Sequence, residues 1–148
     1  MLSFPEVNEL SEDVRRVFEE LDRLHGPAAR ALTSVYSPAL DVVETADTVE
    51  VFIDLPAVPA SALRVLFKNG ALIVVGEKLA PEACGVDGAA FHLVERGFGR
   101  FARVIRFVDA LDAGRARATL RAGELRISVP RITDRRGHEI VVPVEEVR

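Results

Sequence analysis

The chain has 148 residues, 49% of them hydrophobic and 28% charged, the proportions of an ordinary globular protein rather than a disordered one. At this length about 68–70% of the surface of the unfolded chain is buried on folding, so a single domain with short arms needs no staple. The formal net charge of −4 argues against a broad polyphosphate-binding face, and the single cysteine, Cys84, excludes an intrachain disulfide.

The N-terminal stretch MLSFPEVNELSEDVRR carries Glu6, Glu9, Glu12 and Asp13 and has no apolar run of signal-peptide length. No segment approaches the roughly 20 apolar residues that cross a bilayer. With the lone cysteine, these features predict a soluble, cytoplasmic chain that does not engage membranes. Val14, Val17, Phe18, Leu21 and Leu24 then recur at i, i+3, i+4, i+7 and i+10, which predicts an amphipathic helix over about 11–25. Ser11 is its expected N-cap, Glu12 and Asp13 occupy the first turn, and Gly26-Pro27 supplies the stop. A lone helix of this length is marginal in water, so its apolar face must dock on its own domain, on another subunit or on a client. PAARALTSVYSP, residues 27–38, reads as a linker.

From Leu40 the hydrophobic period changes from 3.6 to 2. TVEVFIDLP (48–56) alternates Val49, Val51, Ile53 and Leu55 against Glu50, Phe52 and Asp54. LRVLFK (63–68) alternates Leu63, Val65 and Phe67, and Asn69-Gly70 is a strong hairpin signal before ALIVVGEKL (71–79). RFARVIRF (100–107), RARATLRA (115–122) and ELRISVP (124–130) follow, the last two joined at Ala122-Gly123. Short strands with tight turns and no interposed helices predict an all-β, immunoglobulin-like antiparallel sandwich.

One connection is long for a compact domain: APEACGVDGAAFHLVERGFG, between Leu79 and Arg100. Within it FHLVE, residues 91–95, is itself strand-like and must find an edge, either by folding back or by reaching into a neighbouring chain.

The side chains point to no catalytic or cofactor chemistry. His25, His92 and His138 have no Cys, His or Glu at metal-ligand spacing, and Cys84 reads as a free loop thiol. ERGFGRF has a GxG without the remaining features of a phosphate cradle, so its glycines read as a bend before a strand. No serine sits in GxSxG, and no pair of carboxylates is picked out by an apolar setting. RFARVIRF interleaves arginines with aromatics, a pattern also used on single-stranded nucleic acid. As a strand, however, it puts Arg103 on one face with Phe101, Ile105 and Phe107, where pairing with a carboxylate is expected rather than display to phosphates. The expectation is of a non-enzymatic chain without metal, cofactor or nucleic-acid partner.

The segments in order resemble the small heat-shock proteins, the alpha-crystallin family, over roughly residues 36 to 144. Pro38-Ala-Leu-Asp41-Val-Val-Glu44 is similar to the family's opening P-x-x-D-x-x-E, and VEVFIDLPAV to its V-x-x-DLPGV, with Ala57 in place of glycine. LRVLFKNGALIVVGEK resembles the hairpin that ends in GE, and ERGFGRFARVIRF the ERxxGxFxRxxxLP stretch, with Val108 in place of proline. Ala118-Thr-Leu-Arg-Ala-Gly123-Glu-Leu125 resembles A-x-x-x-n-G-x-L, with Ala122 in place of Asn.

The resemblance implies an ATP-independent chaperone, a holdase working as an oligomer of dimers. It implies an N-terminal arm (1–37), an alpha-crystallin domain (38–131) and a C-terminal extension (132–148). It implies a dimer contact through Phe91, His92, Leu93 and Val94, exchanged into the partner's sheet, with Arg103 in a stabilising ion pair. In the tail, GHEIVVPVEEVR, the resemblance implies an I/V-x-I/V anchor at Ile140, Val142 and Val144. Its receiving groove on another subunit would involve Leu63, Val65 and Phe67 with Ala116, Ala118 and Leu120. Read from residues alone, the tail is either such a plug or an extra strand on its own domain, and the groove residues are simply core. Val14, Val17, Phe18, Leu21 and Leu24 are the candidate client contacts. The alternative function is a non-oligomerising sandwich-type co-chaperone or protein-binding module.

Overall fold

The computed structural model describes residues 12–20, 23, 36–81, 86–132 and 144. Helix α1 covers residues 12–20, and seven strands follow: β1 (Leu40–Glu44), β2 (Thr48–Asp54), β3 (Leu63–Lys68), β4 (Ala71–Lys78), β5 (Gly99–Arg106), β6 (Arg117–Arg121) and β7 (Glu124–Pro130). They form a four-stranded sheet ordered β1-β2-β7-β6 and a three-stranded sheet ordered β3-β4-β5, every pairing antiparallel. The expected sandwich is thus the observed one.

Period 2 decides the register. Val49, Val51 and Ile53 of β2 stand opposite Val129, Ile127 and Leu125 of β7, and all six are buried. In the facing sheet Val65, Val74 and Arg103 share one row, as do Phe67, Leu72 and Ile105. The inner faces of the two sheets meet in one core that also takes Leu55, Val58, Ala62 and Phe101. Burying each large aliphatic side chain contributes roughly 1.5–3 kcal/mol, which makes this core the main source of stability.

Two hairpins turn on two residues each. Asn69 and Gly70 have φ of 51° and 73°, and Ala122 and Gly123 have φ of 51° and 78°, so both turns need the left-handed backbone that matches strand twist. The expected strand at 115–122 is shorter than its pattern, because Ala113–Arg115 form a 3-10 turn that carries the chain between sheets. Two described residues, Tyr36 and Ser37, directly precede the expected domain boundary at Pro38. Tyr36, in the segment read as linker, meets the Phe101 ring edge-on at 5.4 Å and donates to the Asp54 carbonyl at 3.2 Å.

Helix α1 settles where its own stripe goes. Val17 is buried with Ile73 and Val75 of β4, and Val14, Phe18 and Leu66 pack around them. These strand residues point away from the sandwich core, so the helix covers the outer face of the three-stranded sheet. The Ser11 cap and the last stripe residues, Leu21 and Leu24, lie outside the described residues.

Candidate assembly and client-binding surfaces

In the long connection between β4 and β5, the described residues 79–81 and 86–98 belong to neither sheet. Phe91, Leu93 and Val94 are 51%, 75% and 60% exposed, and His92 is exposed beside them. The strand expected at 91–95 does not form within one chain: among the described residues no strand pairs with it, so it does not fold back onto its own sheets. The physical reason is that a strand needs an edge, and here the connection runs clear of its own. Meanwhile, among the described residues, β1 pairs only with β2, and Val42 and Val43 on it are exposed. Among these residues one chain therefore holds an unpaired strand-like segment and an unpaired strand edge.

Arg103 points inward from β5, as its alternation predicts, and among the described residues of one chain no carboxylate pairs with it. Its guanidinium donates to the Pro38 carbonyl at 2.9 Å and to the Ser37 hydroxyl at 3.5 Å, fastening the segment that leads into β1. Lys78 is buried nearby, with its ammonium 5.0 Å from the Tyr36 ring centre and 5.6 Å from that of Phe98. Burial, and then the charge of Arg96, hold the Lys78 pKa below its ordinary value.

The second candidate surface lies at the opposite edge of the sandwich. Val42 and Glu44 of β1 line a cavity with Arg106 and Phe107, so β1 lies toward β5. The remaining edge strands, β3 and β6, therefore share the other side. Leu63 belongs to the buried core, while Val65, Phe67, Ala116 and Leu120 are partly buried against it and Ala118 is exposed. The six residues named for a groove belong to β3 and to β6 or the residue just before it, the strands that flank this seam. Phe67 is stacked on Phe107 with ring centres 6.3 Å apart, which sets one wall of that seam. Of the proposed plug, Val144 is 95% exposed, while Ile140 and Val142 lie outside the described residues.

The helix stripe is the third surface. Val14, Val17 and Phe18, expected to meet clients, are covered against the sheet, with Val17 only 4% exposed. Charged contacts flank them. Lys68 Nζ donates to Asp13 Oδ2 at 2.9 Å, Arg64 Nη2 donates to Glu20 Oε1 at 3.0 Å, and the Arg100 guanidinium lies 5.0 Å from the Phe18 ring centre. Sequence reasoning missed the receiving residues Leu66, Ile73 and Val75. Their signal was present: ALIVV is an unbroken apolar run, the mark of a strand buried on both faces.

Among the described residues no three His, Cys, Asp or Glu side chains are grouped as metal donors, and no helix is long and apolar enough to cross a membrane. Comparison with known proteins identifies a relationship over most of the fold. The sequence profile of the Hsp20/alpha crystallin family matches residues 41–145. Heat shock protein 16 of Schizosaccharomyces pombe is 32% identical over 96 residues, 65% of this chain and 67% of that protein. The 21.9 kDa heat shock protein of Oryza sativa is 35% identical over 120 residues, 76% of this chain but only 56% of the rice protein. Among solved structures, heat shock protein 16.0 of Schizosaccharomyces pombe superposes with a TM-score of 0.62 at 28% identity, covering 75% of this chain and all of that one.

Proposed function

The chain belongs to the Hsp20/alpha crystallin family, and from that membership we propose that it is an ATP-independent holdase that captures unfolding proteins as an oligomer of dimers. The observation that carries the reading is a mismatch among the described residues of one chain: an exposed apolar segment at 91–94 without a sheet, and the β1 edge without a neighbour. In this reading the segment of one protomer completes the β1 edge of its partner, and residues 38–131 form the dimerising domain. Arg103 then serves the dimer by holding the Pro38 carbonyl, which positions β1 for the incoming strand. Residues 132–148 are the extension, whose Ile140, Val142 and Val144 dock on the seam between β3 and β6 of another dimer. Pro143 lacks an amide donor and favours an extended backbone, as a peptide laid along a groove requires. Residues 1–37 are the arm, and Val14, Val17, Phe18, Leu21 and Leu24 meet clients once released. No catalytic step or cofactor is needed, because capture rests on burying apolar surface.

The test combines a heated model client with native mass measurement. The chain lowers light scattering of the client without nucleotide; no reduction at stoichiometric excess refutes the holdase. Val142→Asp, or removal of residues 137–148, reduces the assembly to dimers that keep their fold, whereas an unchanged mass removes the tail from its proposed role.

A further inference from the structure

The surface beneath α1 combines apolar and charged residues in a repeating pattern. Leu66, Ile73 and Val104 form one row across the outer face of the three-stranded sheet, and Arg64, Val75 and Ala102 form the next. Ile73 and Val75 are fully buried in a cluster with Val17 of α1, while Val104 at the margin remains 43% exposed. Along β3 this apolar strip is bordered by Arg64 and Lys68, and at the β5 side by Arg100. The face is thus an apolar strip with a basic rim along β3, and with the buried Glu77 opposite Arg100 at its end.

The way α1 sits on it defines what fits. Asp13 and Glu20 are two helical turns apart, about 10.5 Å, and so project from the same side of the helix. Arg64 and Lys68 are four residues apart on one face of a strand, a span of about 13 Å. Lys68 meets Asp13 and Arg64 meets Glu20, so the helix runs antiparallel to β3 with each carboxylate at one basic residue. Between them Val14, Val17 and Phe18 fill the apolar strip. Glu20 is exposed at its pair with Arg64 while Asp13 is buried against Lys68, and the two pairs together fix the register of a bound helix.

We propose that the outer face of the three-stranded sheet is a client-recognition surface for amphipathic helices whose apolar stripe is flanked by carboxylates two turns apart, and that residues 12–20 occupy it as an internal substitute. The inference rests on the holdase reading for its client and adds the class of segment captured and the place of capture. Because the internal helix competes, a client gains access in proportion to the fraction of chains in which α1 is detached.

The test uses the full chain and a fluorescein-labelled synthetic peptide with the sequence SEDVRRVFEELDRL, followed by fluorescence anisotropy. The double variant Asp13→Lys with Glu20→Lys loosens the chain's own helix and binds the peptide roughly tenfold more tightly than the wild type. The double variant Arg64→Glu with Lys68→Glu reverses the rim. It loses the acidic peptide and accepts one in which the residues corresponding to Asp13 and Glu20 are both lysine. That gain also establishes that the rim variant is folded. Equal binding by wild type and loosened chain overturns the proposal, as does a rim reversal that leaves the acidic peptide bound or fails to admit the lysine peptide. Light scattering of a heated client, run in parallel, separates the two readings. A chain that suppresses scattering but fails the peptide test loses this inference alone, and one that passes the peptide test without suppressing scattering loses the holdase alone.

Discussion

In the four-stranded sheet, β2 alternates buried and partly exposed positions, with Val49, Val51 and Ile53 inward and Glu50 and Phe52 outward. In the three-stranded sheet, all eight residues of β4 are buried. Both strands are central and both line the same core. The difference is what lies outside. Glu50 accepts hydrogen bonds from Arg126 Nε at 2.8 Å and Ser128 Oγ at 2.7 Å, which hold its pKa below the ordinary range, with Arg126 the larger cause. The outer face of β4 has Ile73 and Val75 in those places and must be covered by α1. One sheet is finished by its own polar side chains, and the other is finished by a borrowed element.

The most direct way to break this comparison is to truncate one outward residue from each sheet. Ile73→Ala destabilises by about 2–5 kcal/mol, as a core residue does, because α1 makes its site a core. Phe52→Ala, facing outward over the Arg126 guanidinium at 5.5 Å, changes stability by less than about 1 kcal/mol. Urea midpoints at one protein concentration measure both. If the two losses match, α1 is not a cover on β4. Val17→Ala combined with Ile73→Ala sharpens the point, since residues that share a cavity couple by roughly 0.5–3 kcal/mol and the double loss departs from the sum.

The inner faces are not fully interchangeable either. Opposite Phe101 in the register, β4 carries Gly76 where a side chain has no room. A Cβ there would lie 2.6 Å from Phe101 Cζ, 2.7 Å from the Ala62 carbonyl oxygen and 2.9 Å from Leu63 Cδ2. The ring could turn, but the carbonyl belongs to the 3-10 turn leading into β3 and cannot move without it. Gly76→Ala therefore lowers stability by about 1–3 kcal/mol, read as a shift in urea midpoint. A wild-type midpoint means that the turn yields more readily than its packing implies.

The sequence announced most of this architecture because alternation is a local signal. β3 and β7 begin and end where LRVLFK and ELRISVP do. The helix stripe was equally legible, since Val14, Val17 and Phe18 fall at helical spacing. What it covers was not, because the ion pairs that register it join residues 44 and 55 positions apart and leave no trace in spacing. The segment 91–95 has a strand's pattern but, among the described residues, no strand's partner, and a partner is not something the spacing of its own residues can announce. Arg103 was placed on the correct face, yet its acceptor is a backbone carbonyl, which no side-chain pattern announces.

The smallest effect separates the two hairpins, one in each sheet. Both place two successive residues at positive φ, a conformation that costs a residue with a Cβ roughly 1–2 kcal/mol. In the three-stranded sheet the first position is Asn69, whose short polar side chain tolerates it, while in the four-stranded sheet it is Ala122 at the same φ of 51°. Closing β6 and β7 therefore carries a strain that closing β3 and β4 largely avoids. Ala122→Asn relieves part of it and raises stability by about 0.5–1 kcal/mol, or a few degrees in thermal midpoint for a chain of this size. Asn69→Ala does the reverse by a similar amount. If both substitutions leave the midpoint unchanged, the turn residues are not what distinguishes the hairpins, and the register is held by the strand pairs alone.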